Sequence, residues 1–238
     1  MEHERACARV TSRFAERWLR IYVALKLRND PIYPVAYALL RESAEPLVDV
    51  GCGVGLLAFY LRERNFRQAI TGIDRDRRKI GRANAVARDG YGQVDFVEHD
   101  VSEPFEQRGN TVLFDLLHYL RPNEQLRILE RLAAGVAPGG ILLIRDCPRD
   151  GNARFWLTHW AERFAQTTTW NVQSPLHFPT RADIFAAFPG DEFTSEVEPL
   201  SGCLPFNNHL FIFRRRAVAT VPARARRSDN FPSRAPSG

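Results

Sequence analysis

Leu47-Val48-Asp49-Val50-Gly51-Cys52-Gly53-Val54-Gly55-Leu56-Leu57-Ala58-Phe59-Tyr60-Leu61 is the stretch on which the reading of this chain turns. Residues 47–50 form a short apolar run of the kind that becomes a strand covered on both faces, and the apolar run from Leu56 reads as a helix. Between them, glycines at 51, 53 and 55 allow a tight turn and let a ligand approach the backbone. A strand that turns on glycines into a helix leaves the free N–H groups of the helix N-terminus facing that ligand.

Working downstream, the unit repeats. Residues 69–73 read as a strand, 77–88 as a helix, 94–97 and 111–114 as strands, 123–134 as a helix and 141–144 as a strand after the Pro138-Gly139-Gly140 turn. Such alternation predicts βαβ units and a mostly parallel sheet with helices on both faces. Residues 153–166 read as an aromatic helix (Phe155, Trp156, Trp160, Phe164) and 180–188 as another. Strands 193–199 and 209–214 have no helix between them, which predicts an antiparallel pair at the sheet edge. Upstream, residues 10–28 read as one amphipathic helix with Phe14, Trp18, Tyr22 and Leu25 at helical spacing and Thr11 or Ser12 as its cap. Asn29-Asp30-Pro31 ends it, and a short helix over 34–42 follows.

At 238 residues, with 45% hydrophobic and 26% charged residues, the composition is that of a packed globular protein rather than a disordered or fibrous one. No basic leader precedes an apolar stretch, and no run of about 18 apolar residues occurs, so neither a signal peptide nor a membrane span is expected. Cys7, Cys52, Cys147 and Cys203 are scattered without a C-x-x-C pair, which argues for reduced thiols in the cytoplasm and for no metal site. The net charge of +5 invites a nucleic-acid reading, but seven arginines against Asp229 lie from Arg214 onward, leaving the body near neutral and without the basic groove that duplex binding needs.

The loop alone is a modest signal, and a hydride-transferring dinucleotide enzyme would want a third glycine where Leu56 stands. The acids decide the matter. Asp49 precedes the first glycine by two positions, and Asp74, Asp100 and Asp115 follow the next three strands, where ligands bind in doubly wound sheets. A helix cap or strand end accounts for any one of them, but not for all in register with the loop. With these motifs, residues 45–215 resemble the class I S-adenosylmethionine-dependent methyltransferases. The resemblance implies a Rossmann-like α/β fold: a seven-stranded, mostly parallel sheet with an antiparallel edge strand and an N-terminal helical cap. It implies S-adenosylmethionine as cofactor, its methionine portion held by Asp49 and the loop Gly51-Cys52-Gly53 with Gly55. Asp74, with Arg75 beside it, would meet the ribose hydroxyls, Asp100 and the Val101 backbone the adenine, and Asp115 would close the set.

Methyl transfer from a sulfonium needs alignment and dryness first, and a base only for a weak nucleophile. His118, four residues past the fourth strand, is the candidate general base, with a packing role as its alternative; His159 and His177 rank below it. Asp146 can orient a substrate or a base, or cap a helix. Tyr22 and Lys26 share a helical face that in such a cap would lie near the sulfonium and the cofactor carboxylate, or else are an ordinary core tyrosine and a solvated lysine. Cys52 reads as a small turn residue rather than a nucleophile. No Asn/Asp-Pro-Pro-Tyr sequence follows strand four, and the markers of cytosine-carbon and arginine methylation are absent, so a small-molecule acceptor is expected, apolar or aromatic if residues 150–192 form a lid. The divisions are then 1–45 cap, 46–215 catalytic domain and 216–238 a disordered tail. An RNA methyltransferase tethered by that tail and a non-catalytic cofactor-binding partner are the alternatives.

Overall fold

The computed structural model describes residues 1–149, 155–156, 175–200 and 207–217. Helices α1 (Glu2–Ser12), α2 (Arg17–Asn29) and α3 (Ile32–Leu40) lead into strand β1 (Leu47–Val50) and helix α4 (Leu56–Glu63). Then come β2 (Ile70–Asp74), α5 (Arg77–Arg88), β3 (Val94–Glu98), β4 (Asn110–Phe114), a 3₁₀ turn at Leu117–Tyr119, α6 (Pro122–Gly135) and β5 (Ile141–Asp146). Helix α7 (Arg181–Phe185) and strands β6 (Phe193–Pro199) and β7 (His209–Arg215) follow.

The strands make one seven-stranded sheet in the order β3-β2-β1-β4-β5-β7-β6. The first five pair parallel, and β7 runs antiparallel to both β5 and β6. Strand period explains how one sheet supports two cores. Leu47, Val112, Ile141, Leu143, Leu210 and Ile212 face α1 to α5. Their neighbours Val48, Leu113, Leu142, Ile144, Phe211 and Phe213 face α6 and the stretch around α7. After β1 the chain moves outward through β2 and β3 and then returns to place β4 on the other side of β1. Where a strand order reverses in this way, the carboxyl ends of the strands open a crevice.

Three expectations are corrected. The helix expected over 10–28 is two, α1 and α2, broken between Ser12 and Arg17. Thr11 caps nothing, its hydroxyl donating to the Cys7 carbonyl inside α1. The short helix is Ile32–Leu40 rather than 34–42, because Asp30 Oδ1 accepts the Ile32 N–H and starts it two residues earlier. The third correction concerns faces: α2 buries Leu19, Val23 and Leu27, while Trp18, Tyr22 and Leu25 point outward. The expected helix over 153–166 lies outside the described residues apart from Phe155 and Trp156, as do His159, Cys203 and the tail past 217.

Candidate active site

The glycine loop hangs on β2, with the Gly51 and Cys52 N–H groups donating to the Ile73 carbonyl at 2.8 and 3.0 Å. Gly55 starts α4 at φ +79°, and a Cβ there would stand 2.4 Å from Phe96 Cζ, so both conformation and space demand glycine. Gly53, at φ +57°, is different: a Cβ there would meet nothing within 4 Å. The loop backbone therefore forms the floor of an open cavity of about 340 Å³ at the crevice between β1 and β4.

Asp49, Gly51, Cys52, Gly53, Asp74, Arg75, Asp100, Val101 and Asp115 all line that cavity, as do Tyr22 and Lys26 from α2. Gly55 stands behind its floor. Asp74 is fixed by the loop it faces, Oδ2 accepting from Gly53 N at 2.9 Å and Oδ1 from Asp76 N at 2.8 Å. Asp100 Oδ1 accepts from Ser102 N at 2.9 Å. Asp49 sits inside a wholly buried strand, and burial, with the Asp74 carboxylate as second cause, pushes it up to about 7. Burial, aided by Asp49, likewise pushes the Cys52 thiol far up, so it stays protonated.

Sequence reasoning missed what surrounds Asp115. Arg145, buried at the end of β5, clasps Asp115, with Nε to Oδ1 at 2.8 Å and a second contact between Nη2 and Oδ2. Its Nη1 reaches both oxygens of Asp30, at 2.6 and 2.7 Å, so one guanidinium joins β4, β5 and the α2–α3 junction. Lys26 Nζ adds to the cluster, 2.9 Å from Asp30 and 3.9 Å from Asp115. Burial opposes all these charges, but Arg145 and Lys26 outweigh it and bring Asp30 down to about 2. Lys26 thus meets the cavity as a paired cation rather than a solvated one, and Asp115 as a clasped carboxylate at φ +53°. Tyr33, which sequence reasoning also missed, lines the cavity beside them, its hydroxyl pushed well up by burial and then by Asp30. The one local signal for the cluster was an arginine ending the apolar run of β5.

His118 is 3% exposed, and its Nδ1 lies 2.9 Å from Asp146 Oδ1, which also accepts the Cys147 N–H at 2.8 Å. A carboxylate there fixes the tautomer: Nδ1–H donates to Asp146, and Nε2 is the basic nitrogen. The His118 ring stacks on Phe178 at 5.2 Å and lies 4.3 Å from Tyr119. From this turn Leu116, Tyr119 and Leu120 line the cavity, with His118 one side chain behind them. The buried Gln125 side chain locks the turn, donating to the carbonyls of Leu117, Leu120 and His177. Cys147, Phe155 and Phe178 form a small apolar cluster on the far side of His118.

A family model described as a methyltransferase domain matches residues 6–219. Among curated proteins, the carboxy-S-adenosyl-L-methionine synthase of Wolinella succinogenes is 27% identical over 145 residues, spanning 56% of this chain and 60% of that protein. Its counterpart from Chromohalobacter salexigens is 30% identical over 149 residues, 56% of this chain and 54% of that one. The chain thus spans little more than half the length of the relatives it matches. Among solved structures, a magnesium protoporphyrin IX methyltransferase from Synechocystis with bound S-adenosylhomocysteine superposes with a TM-score of 0.62 at 14% identity, covering 87% of this chain and 93% of that one. An N-methyltransferase from Bradyrhizobium japonicum, also with S-adenosylhomocysteine, gives 0.58 at 16% identity, covering 90% and 99%. At such identities the likeness is one of fold.

Proposed function

The chain belongs to the S-adenosylmethionine-dependent methyltransferases, and on that premise we propose that it moves a methyl group from S-adenosylmethionine to an oxygen of an apolar or aromatic small molecule. The observation that carries the reading is the convergence of a backbone-floored loop with Asp49, Asp74 and Asp100 on one cavity. The residues suit the cofactor chemically. A buried carboxyl such as Asp49 gains from a ligand's ammonium group, Asp74 is a fixed acceptor for a pair of hydroxyls, and Asp100 beside the Val101 backbone suits an aminated base. When bound, the cofactor supplies an electrophilic methyl on a sulfonium.

The chain's own residues then do three things. Tyr22 and Tyr33 wall the cavity with aromatic surface, which attracts a cation and excludes water. The Arg145 clasp holds the α2–α3 junction against the sheet ends, keeping that wall in place. His118 stands one side chain behind the lining with its Nδ1 on Asp146, so an acceptor that enters between Tyr119 and Leu120 would pass its hydroxyl proton to Nε2, and Asp146 would stabilise the imidazolium that forms.

The test is transfer of labelled methyl to a panel of hydroxylated aromatic compounds. His118→Gln and Asp146→Asn are each expected to lower kcat by about 10²- to 10⁴-fold while leaving cofactor affinity unchanged. Undiminished turnover in both variants would take His118 out of the reaction. The names of the curated relatives offer a second reading, formation of a carboxylated S-adenosylmethionine. A new carboxylate would need a cation; Arg145 and Lys26 at the cavity are each paired with Asp30 and Asp115, and Arg75 and Lys79 also line it. Mass spectrometry of the cofactor after turnover separates the two reactions.

A further inference from the structure

Helix α2 is apolar on two faces, one buried and the other partly exposed. Leu19, Val23 and Leu27 are buried against α1 and the sheet side. On another face, Trp18, Ile21 and Leu25 are 49%, 55% and 58% exposed, and Tyr22 between them is 38% exposed. At 3.6 residues per turn, positions 18, 21, 22 and 25 form one continuous stripe. Single exposed apolar side chains are ordinary, but among the described residues half of the large exposed ones gather in these two turns.

On α2 itself the charges beside the stripe are of one sign, while the carboxylates of the cavity, with Asp30 and Asp115 held by Arg145 and Lys26, lie on its Tyr22 side. Helix α2 contains no acid, and its Arg17, Arg20 and Arg28 are exposed, with Arg17 and Arg28 falling beside the stripe on the helical wheel. The nearest acid in sequence, Glu16, is paired with Arg82 at 3.0 Å, and Arg82 also lies over the Trp18 ring at 5.7 Å. The stripe is also continuous with the cavity, since Tyr22 belongs to both.

We propose that this face of α2 docks the protein on an anionic lipid surface, Ile21, Leu25 and the edge of Trp18 entering the headgroup boundary and Arg17 and Arg28 meeting lipid phosphates. A basic helix face carrying Trp and aliphatic side chains is the composition that binds in the plane of an interface, its affinity set by buried apolar area and attraction to anionic lipid together. No helix among the described residues is long and apolar enough to cross a membrane, so the contact is peripheral. Docking in this orientation turns the Tyr22 side of the cavity toward the bilayer. The proposal is independent of the methyl-transfer reading.

The experiment is co-sedimentation of the full chain with phosphatidylcholine vesicles containing about a quarter phosphatidylglycerol, and with pure phosphatidylcholine vesicles. The comparison protein is the double variant Ile21→Ser with Leu25→Ser, which leaves every arginine, including those past residue 213, in place. The wild type is expected to sediment with the anionic vesicles and not the neutral ones, and the double variant to bind at least tenfold more weakly. Unchanged thermal unfolding of the double variant establishes that it is folded. Equal sedimentation of the two proteins would assign the binding to the basic C-terminal stretch and overturn the proposal. So would no binding by the wild type, or a wild-type dimer that the double variant dissolves without any vesicle binding, which would make the stripe a contact between two copies.

Discussion

Asp49 is a carboxyl group inside a strand buried throughout, and its environment is written into its titration. Folding raises it from 3.8 to about 7, so between those values the folded chain holds a proton that the unfolded chain has released. Stability therefore falls as pH rises through this window, by on the order of 4 kcal/mol for this group. Asp49→Asn is expected to flatten that slope and to unfold at higher temperature than wild type at about pH 8. A ligand ammonium beside Asp49 favours the ionised form, so S-adenosylhomocysteine affinity should strengthen from about pH 6 to about pH 8 in the wild type and lose that dependence in the variant. Thermal unfolding and titration across the same pH range read both effects, and a wild-type slope retained in Asp49→Asn would contradict them. At this scale the sequence was most informative where spacing is local: Asp49, Asp74 and Asp100 stood out against the glycine loop and the strand ends, and all three line the cavity. Arg145 and Asp30 did not stand out, because they are 115 residues apart and nothing local to either announces the other.

Among elements, α2 shows where periodicity stops being informative. Two apolar stripes on one helix satisfy the same spacing rule, and only the fit against α1 decides which is buried. The break between α1 and α2 was equally hidden, since no proline or glycine marks residues 13–16. Strands fared better: β1 and β6 fall on their expected residues, and the others deviate only at their ends, because a short apolar run between turn signals has few registers. The junction of α2 with α3 depends on the Arg145 clasp. Arg145→Met would leave Asp30 and Asp115 without their main partner, and is expected to lower stability by about 3 kcal/mol, below the cost of removing a fully buried partner because Asp115 is partly exposed. Denaturant unfolding measures this, and a loss under about 1 kcal/mol would mean that Lys26 alone holds the junction.

For the whole molecule, the parallel pairing of β1 to β5 and the antiparallel β6–β7 pair at the edge follow from alternation and from the short link between β6 and β7, features that the sequence carries over tens of residues, whereas the order β3-β2-β1-β4-β5-β7-β6 is read from the structure. The sequence does not carry the layering of the site. His118 stands one side chain behind the cavity wall because Tyr119 and Leu120 take the lining positions on a turn that Gln125 locks. The central claim is that the cavity binds S-adenosylmethionine through the glycine loop and its acids. Isothermal titration of the wild type and Asp74→Ala with S-adenosylmethionine and S-adenosylhomocysteine tests it most directly. Micromolar binding of both ligands, weakened at least tenfold by the substitution, is the predicted result. Failure of the folded wild type to bind either ligand, or equal binding by Asp74→Ala, would contradict it.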